Sequence, residues 1–219
     1  MKKLFKIEGI PKPGAIIYSE IVAQSPIMKD FYHMVAEEVL SKMSSGRILD
    51  IGTGPGYLPL EIGQRSSDLE IKAIDISPAM VEIARHNAQK MGLQERVEFL
   101  FGSADNIPFE EEHFDLIVST GSFHHWAEPK ECLKEIRRVL KNRGEAWIYD
   151  LRRDITKEAT LEARKRYGWL LSSLFLYIVR LHSSVRAQEV QKLLSSPELD
   201  FSSKRLEDRG VILKQELKK

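Results

Sequence analysis

A glycine-rich segment, LDIGTGPG from Leu49 to Gly56, is the most informative chemical feature of the sequence. Glycines between a strand and a helix let the backbone approach a ligand closely. The dinucleotide pattern GxGxxG fits poorly, because Tyr57 stands where the third glycine is required. A carboxylate at Asp50 would also repel a pyrophosphate, whereas it would attract an ammonium group. The segment therefore predicts a ligand that carries an ammonium group, and the alternative is a glycine turn without a ligand.

Two further carboxylates follow at the spacing that a nucleoside requires. Asp75 closes the next apolar run about twenty residues beyond the glycines, where a carboxylate can accept both hydroxyls of a ribose. Asp105 ends the segment GSAD from Gly102, where it could accept from an adenine amino group. The alternatives are local ones, in which Asp75 caps the helix that Ser77 opens and Asp105 caps a turn.

Alternating strands and helices are predicted to position these residues. The apolar runs that predict strands are 47–51, 69–76, 96–102, 114–120 and 145–151. Helical spacing predicts helices from Ile27 to Met43, from Ser77 to Met91, and over PKECLKEIRRVLK with an end near residues 142–144. Strands that alternate with helices indicate an α/β fold, with a doubly wound and mostly parallel sheet.

The alternation of strand and helix patterns stops after Leu151. Residues 152–197 show helical spacing only, and the apolar stretch from Trp169 to Leu181 is too short for a membrane span of about 20 residues. We expect this insert to cover a pocket, with Phe175 and Tyr177 as candidate acceptor contacts, or to form a core or dimer contact. Residues 198–219 predict an antiparallel hairpin, with a turn at residues 208–210, at one edge of a seven-stranded sheet. The predicted organisation is one domain over 1–219, with an arm and helix (1–45), a core (46–151), the insert and the hairpin.

Composition describes an ordinary globular chain of 219 residues, with 33 Lys plus Arg against 32 Asp plus Glu. A net charge of +1 gives no overall basic field for nucleic acid, although the part after Asp150 holds 15 basic against 9 acidic residues. The single cysteine, Cys132, argues against a disulfide framework or a zinc site. The first residues lack the apolar run of a signal peptide, so we expect a cytoplasmic protein without a membrane span.

The stretch from Arg47 to Leu151 resembles the class I S-adenosylmethionine-dependent methyltransferases, within the small-molecule branch that includes quinone-biosynthesis enzymes. The segments that carry the resemblance are, in order, LDIGTGPG, AIDIS, GSADNIPF, FDLIVSTGSFHHW and EIRRVLKNRGEAWI. It implies a Rossmann-like methyltransferase fold with S-adenosylmethionine as cofactor and no metal. The implied cofactor contacts are Asp50, Gly52, Thr53 and Gly54 near the methionine part, Asp75 on the ribose, Ile76, Ser103, Ala104 and Asp105 around adenine, Thr120 beside the sulfonium, and Tyr18 over the cofactor.

The resemblance implies methyl transfer to a small molecule. The apolar stretch of the insert suggests an acceptor with substantial apolar surface, and we expect a monomer or a homodimer. An acceptor hydroxyl or activated carbon can require a base, for which His124 and His125 are the candidates. The alternative for these histidines is that they only orient their loop. Methyl transfer to RNA or protein is disfavoured because the loop after the fourth strand reads TGSF, without an Asn-Pro-Pro-Tyr type sequence. A cofactor-binding subunit without catalysis is the remaining alternative.

Overall fold

The computed structural model describes Ser19, residues 22–182 and residues 185–219, with only the backbone for residues 178–182. Seven strands form one sheet in the order β3-β2-β1-β4-β5-β7-β6. The strands are β1 (Gly46–Ile51), β2 (Leu69–Asp75), β3 (Val97–Phe101), β4 (Phe114–Thr120), β5 (Leu140–Leu151), β6 (Ser203–Arg209) and β7 (Ile212–Lys218). The helices are α1 (Pro26–Lys42), α2 (Tyr57–Arg65), α3 (Pro78–Lys90), α4 (Pro129–Val139), α5 (Lys157–Tyr167), α6 (Trp169–His182) and α7 (Ala187–Leu194), with a short 3-10 turn at Phe123–His125.

The strand directions confirm the predicted α/β sheet. Strands β1 to β5 pair in parallel, whereas β7 pairs antiparallel with both β5 and β6. The chain leaves β1 toward β2 on one side and returns to β4 on the other, so β1 and β4 flank the point at which the strand order reverses. Open α/β sheets bind ligands at the carboxyl ends of the strands beside this point.

Helices cover both faces of the sheet, which explains why the central strands are almost continuously apolar. One core contains buried residues of α1, α2, α3 and α6, and the other contains those of α4 and α7. Side chains of β5 alternate between the two, since Trp147 and Tyr149 enter the first core and Ala146 and Ile148 enter the second. None of the described helices has both the length and the apolar character needed to cross a bilayer.

The helix before β5 ends earlier than predicted. It stops at Val139, because Leu140 is already extended and pairs with Phe114 of β4. The pairing register then shifts before Leu116, and Arg143 takes a left-handed φ of 67°. The Leu, Lys and Arg residues of 137–143 favour a longer helix by local propensity, but the strand pairing decides the boundary.

The C-terminal hairpin and the three helices of residues 152–197 lie where they were predicted, and the tight turn of the hairpin falls at residues 210–211. The division of the chain into arm, core, insert and hairpin as domain parts stays a prediction.

Candidate functional site

A pocket opens at the carboxyl ends of the parallel strands. Its floor comes from the segments that follow β1, β2, β3 and β4, and its wall comes from α1 and α6. The predicted cofactor contacts and the two histidines that the structure describes all lie on it, except the fully buried Asp50. Tyr18 lies outside the described residues. The lining includes Val22, Met28, Phe31, Tyr32, Ile51, Gly52, Thr53, Gly54, Asp75, Ile76, Met80, Ser103, Ala104, Asp105, Thr120, His124, His125, Trp126, Cys132, Leu151 and Phe175.

The glycine turn is fixed by backbone conformations that favour glycine. Gly52 and Gly54 have φ values of 70° and 54°. A side chain at Gly52 would strike Ser122, whose Cβ would lie 2.4 Å from the added Cβ. At Gly54 an added Cβ would meet nothing within 4 Å, so this glycine borders open space. The turn therefore leaves room beside its backbone for a ligand.

The Asp75 carboxylate joins two turns at the edge of the pocket. One oxygen accepts the backbone N–H of Gly54 at 2.8 Å, and the other accepts the backbone N–H of Ser77 at 2.8 Å. Burial raises the pKa of this carboxyl above its usual value, although the two N–H groups oppose the shift. Ser77 itself caps α3 by accepting from the Met80 N–H, so Asp75 does not replace it as the cap. The remaining lone pairs of the carboxylate can accept from a ligand.

Asp50 is buried beneath the glycine turn without a hydrogen bond to either carboxylate oxygen from the described residues. The Thr53 hydroxyl is near enough to lower the pKa of Asp50 slightly but lacks hydrogen-bonding geometry. Burial dominates and, with the negative charge of Asp75, raises the pKa of Asp50 to about 7. A buried carboxylate of this kind is stabilised by a cation. The site therefore fits a ligand with an ammonium group.

The predicted adenine end of the pocket combines apolar and polar groups. Ile76 and Ala104 line it, and the Ser103 hydroxyl donates a hydrogen bond to the exposed Asp105 carboxylate. Met80, Trp126 and Cys132 also line the pocket and were not predicted as site residues. Their signal was available, because Met80 lies one turn into the helix after β2 and the other two follow the histidine loop.

Asp150 is the residue that the sequence reasoning missed. Its carboxylate is fully buried and lies 2.9 Å from Nδ1 of His124, and it also accepts the His124 backbone N–H at 2.8 Å. The bond to Nδ1 leaves Nε2 as the free ring position, and Nε2 is buried without a partner among the described residues. The adjacent parallel strands β4 and β5 end at the same edge, which is the signal that could have paired these residues.

The two histidines differ in their surroundings. Both line the pocket, and their rings lie 3.9 Å apart at an angle of 46°. His125 is exposed, whereas the His124 side chain is largely buried and its Nδ1 lies within hydrogen-bond distance of the Asp150 carboxylate. The contact with Asp150 orients the His124 imidazole.

The two aromatic residues predicted to contact an acceptor lie on different sides of helix α6. Phe175 is buried and lines the pocket, whereas Tyr177 is 61% exposed and does not. The interpretation of Tyr177 as a pocket residue is therefore wrong, because two positions along a helix point in different directions. Phe175 faces an apolar wall that includes Met28, Phe31 and Leu151. Within the part of the chain that the structure describes, no cluster of side chains could hold a metal ion.

Comparison with known proteins is consistent with this geometry. The chain is 33% identical over 146 residues to the demethylmenaquinone methyltransferase of Thermotoga maritima. The aligned residues are 67% of this chain and 60% of that protein. A solved structure from Methanococcus maripaludis, described as a candidate S-adenosylmethionine-dependent methyltransferase, aligns with a TM-score of 0.74 and 26% identity over 100% of this chain and 97% of that chain.

A second solved structure supports the fold alone. It is a phosphoethanolamine N-methyltransferase of Haemonchus contortus in complex with S-adenosylhomocysteine, with a TM-score of 0.64 and 19% identity over 90% of this chain and 43% of that chain. A family model described as a methyltransferase domain matches residues 42–195, which is more than half of the sequence. The chain therefore belongs to the methyltransferase domain family, with the class I fold of S-adenosylmethionine-dependent methyltransferases.

Proposed function

We propose that the protein transfers a methyl group from S-adenosylmethionine to a small, partly apolar molecule. The observation that carries this proposal is the buried Asp50 carboxylate without a partner, beneath a glycine turn whose Gly54 borders open space. Asp50 would bind the ammonium group of the methionine part, and the Gly52–Gly54 backbone and Thr53 would contact the rest of it. Asp75 would accept from the ribose hydroxyls, and the adenine ring would lie between Ile76, Ala104 and the Ser103–Asp105 turn.

The cofactor supplies an activated methyl group on a positively charged sulfur, so the protein has mainly to align the acceptor and exclude water. Thr120, at the end of β4, would lie beside that sulfur. Phe175, Phe31 and Leu151 would hold the apolar part of the acceptor, because they are the large apolar side chains that line the same pocket as the glycine turn. The Thermotoga maritima relative is named for a quinone substrate, which is consistent with an apolar acceptor.

We propose His124 as the base that receives a proton from the acceptor at Nε2. Asp150 would act as a positioning residue, because its contact with Nδ1 fixes the ring and would stabilise the protonated imidazole. His125 would contribute to the wall. Deprotonation makes a hydroxyl or activated carbon a better nucleophile toward the methyl group.

We also propose a cytoplasmic location, with no action on nucleic acid, for a monomer or homodimer. The single cysteine fits a reducing compartment, and the balanced charge gives no overall basic field for nucleic acid. Production of S-adenosylhomocysteine with separate acceptor pools of RNA, protein and small molecules tests the substrate class. The small-molecule pool would include reduced demethylmenaquinone. Turnover with RNA or protein alone would overturn the proposal.

Removal of the Asp75 carboxylate should weaken cofactor binding. We expect calorimetry on Asp75→Ala to give at least about tenfold lower affinity for S-adenosylmethionine, since charge-assisted bonds worth about 1.4 kcal/mol or more are lost. Asp105→Ala is the matched control at an exposed carboxylate and should have a smaller effect. Unchanged affinity in a folded Asp75→Ala protein would contradict the assignment.

The wild-type protein should distinguish the two kinds of cofactor. S-adenosylhomocysteine should raise the melting temperature and NAD should not.

Cofactor affinity should depend on pH through Asp50. The cofactor ammonium group pairs with the ionised carboxylate, whereas the raised pKa of about 7 means that the free protein is increasingly protonated below pH 7. Binding must then release that proton, so affinity should fall by up to tenfold per pH unit below about pH 7 and level off above it. Asp50→Asn should bind weakly at every pH. A flat wild-type profile from about pH 5.5 to about pH 8, measured by calorimetry, would refute the role.

Substitutions on the two faces of α6 should differ in their effect on the turnover number. Phe175→Ala should lower turnover of an identified acceptor about tenfold or more by enlarging the acceptor pocket, with S-adenosylmethionine affinity nearly unchanged. Tyr177→Ala is the control on the same helix and should retain activity in solution, because its side chain is outside the pocket. Equal effects of the two substitutions would show that Phe175 does not contact the acceptor.

The histidine pair should show a graded loss of turnover. His124→Asn should lower turnover by about 10²-fold or more, and Asp150→Asn should lower it less while changing the acidic limb of the pH–rate profile. Cofactor affinity, measured by calorimetry, should stay within about twofold in both variants. If His125→Asn is as damaging as His124→Asn, or if the pH–rate profile of Asp150→Asn matches the wild type, the assignment of base and positioning residue is wrong.

A further inference from the structure

The outer face of α6 is apolar although it is exposed. Trp169, Leu170, Leu174 and Tyr177 have exposed fractions of 66%, 75%, 56% and 61%. Leu170, Leu174 and Tyr177 follow one another at four- and three-residue steps and so share one side of the helix. The opposite side is already occupied, since Phe175 lines the pocket and Leu176 packs in the core. Helix α6 therefore has apolar side chains on two opposite sides, and an exposed apolar patch of this kind is expected to be covered by a partner.

Positive charge lies next to this apolar face. Lys157, Leu161 and Arg164 of α5 share one side of that helix and line the same shallow surface recess, and Leu161 is 63% exposed. Lys165 follows on the exposed surface of α5, and Glu158 and Glu162 are exposed at the flank of these cations. Helices α5 and α6 pack against each other, and the Ser172 hydroxyl donates to the Ala163 carbonyl at 2.8 Å. Ala159 of α5 and Ser172 of α6 are buried, so the exposed leucines and these cations lie on the sides of the two packed helices that turn away from the core. We call these outward sides the α5–α6 outer face.

We propose that the α5–α6 outer face docks on an anionic lipid bilayer. Leucines insert at the boundary between headgroups and acyl chains, and Trp and Tyr side chains favour that level because they combine an apolar ring with a polar atom. Lys and Arg beside them meet anionic headgroups, at about 1 kcal/mol for each cation near the surface. A second copy of the chain fits less well, because an isologous contact would place this cationic face against itself.

Docking there would bring the pocket to the membrane surface. One helix separates the two, since Phe175 points into the pocket and its neighbour Leu174 is on the outer face. This consequence for an apolar acceptor rests on the proposed function, whereas the docking itself does not. Binding to vesicles can therefore be tested without an acceptor or a cofactor.

The exposed tryptophan provides the direct measurement. Trp126 and Trp147 are buried, so Trp169 is the tryptophan whose surroundings change when the outer face binds. With the full chain, vesicles of phosphatidylcholine and phosphatidylglycerol should shift the tryptophan emission to the blue, and Trp169→Phe should abolish the shift. Vesicles of phosphatidylcholine alone should give little binding, and salt should weaken binding to the anionic vesicles.

Co-sedimentation with the same vesicles locates the contact. The double variant Leu170→Ser with Leu174→Ser should lower binding at least tenfold, whereas Met91→Ser, an exposed apolar residue at the end of α3, should leave it unchanged. Circular dichroism checks that each variant is folded. Equal binding to neutral and anionic vesicles, binding that survives the double substitution, or a dimer that the double substitution dissociates without any vesicle binding would each overturn the proposal.

Discussion

The hydrogen bond from the Gly54 backbone N–H to the Asp75 carboxylate is the interaction on which the pocket depends. It joins the turn after β1 to the end of β2 at 2.8 Å, and the second Asp75 oxygen continues the connection to the start of α3. A charge-assisted bond of this kind contributes about 1.5–3 kcal/mol, which is enough to hold one turn conformation. The bond requires the left-handed backbone at Gly54, so the glycine and the carboxylate form one structural unit. Asp50 lies below that unit without a hydrogen bond from the described residues, so the turn separates the pocket from a buried carboxyl group.

The sequence predicted most of this edge of the sheet because its signals are local. A glycine cluster after an apolar run, and carboxylates at the ends of the following strands, require only strand order to bring them together, and the observed order does so. Asp150 was missed because its partner, His124, is 26 residues away on the neighbouring strand end, and neither residue reveals the pairing alone. The end of α4 was misplaced for a similar reason, since pairing of Leu140 with Phe114 overrides the local helical preference. Tyr177 was misplaced because apolar spacing identifies a helix but not which of two apolar faces turns inward.

A polar network around Glu38 holds helix α1, which lines the pocket, against strands β5, β6 and β7. Glu38 accepts a hydrogen bond from Tyr149 at 2.9 Å and from Lys214 at 3.0 Å, and it also pairs with Arg209. Burial opposes the charge of Glu38, but these three donors lower the pKa of its carboxyl below the usual value. Lys214 is itself buried and lies 4.1 Å from the centre of the Trp147 ring. Loss of Glu38 would leave that cation without its closest carboxylate, which is costly in a buried site.

The same network determines where the apolar wall of the pocket lies. Phe31 is two turns before Glu38 on α1, and its ring meets the edge of Tyr149 with centroids 6.2 Å apart. The wall is therefore positioned by contacts with β5 and β7, and the glycine turn is positioned by contacts between β1 and β2. The hydrogen bonds that position the wall and the hydrogen bond that positions the glycine turn therefore involve different strands of the same sheet. A substitution in the wall can therefore change the space for an acceptor while the carboxylates beside the glycine turn keep their geometry. A transferase that keeps one cofactor but varies its acceptor requires these two parts of the pocket to be independent.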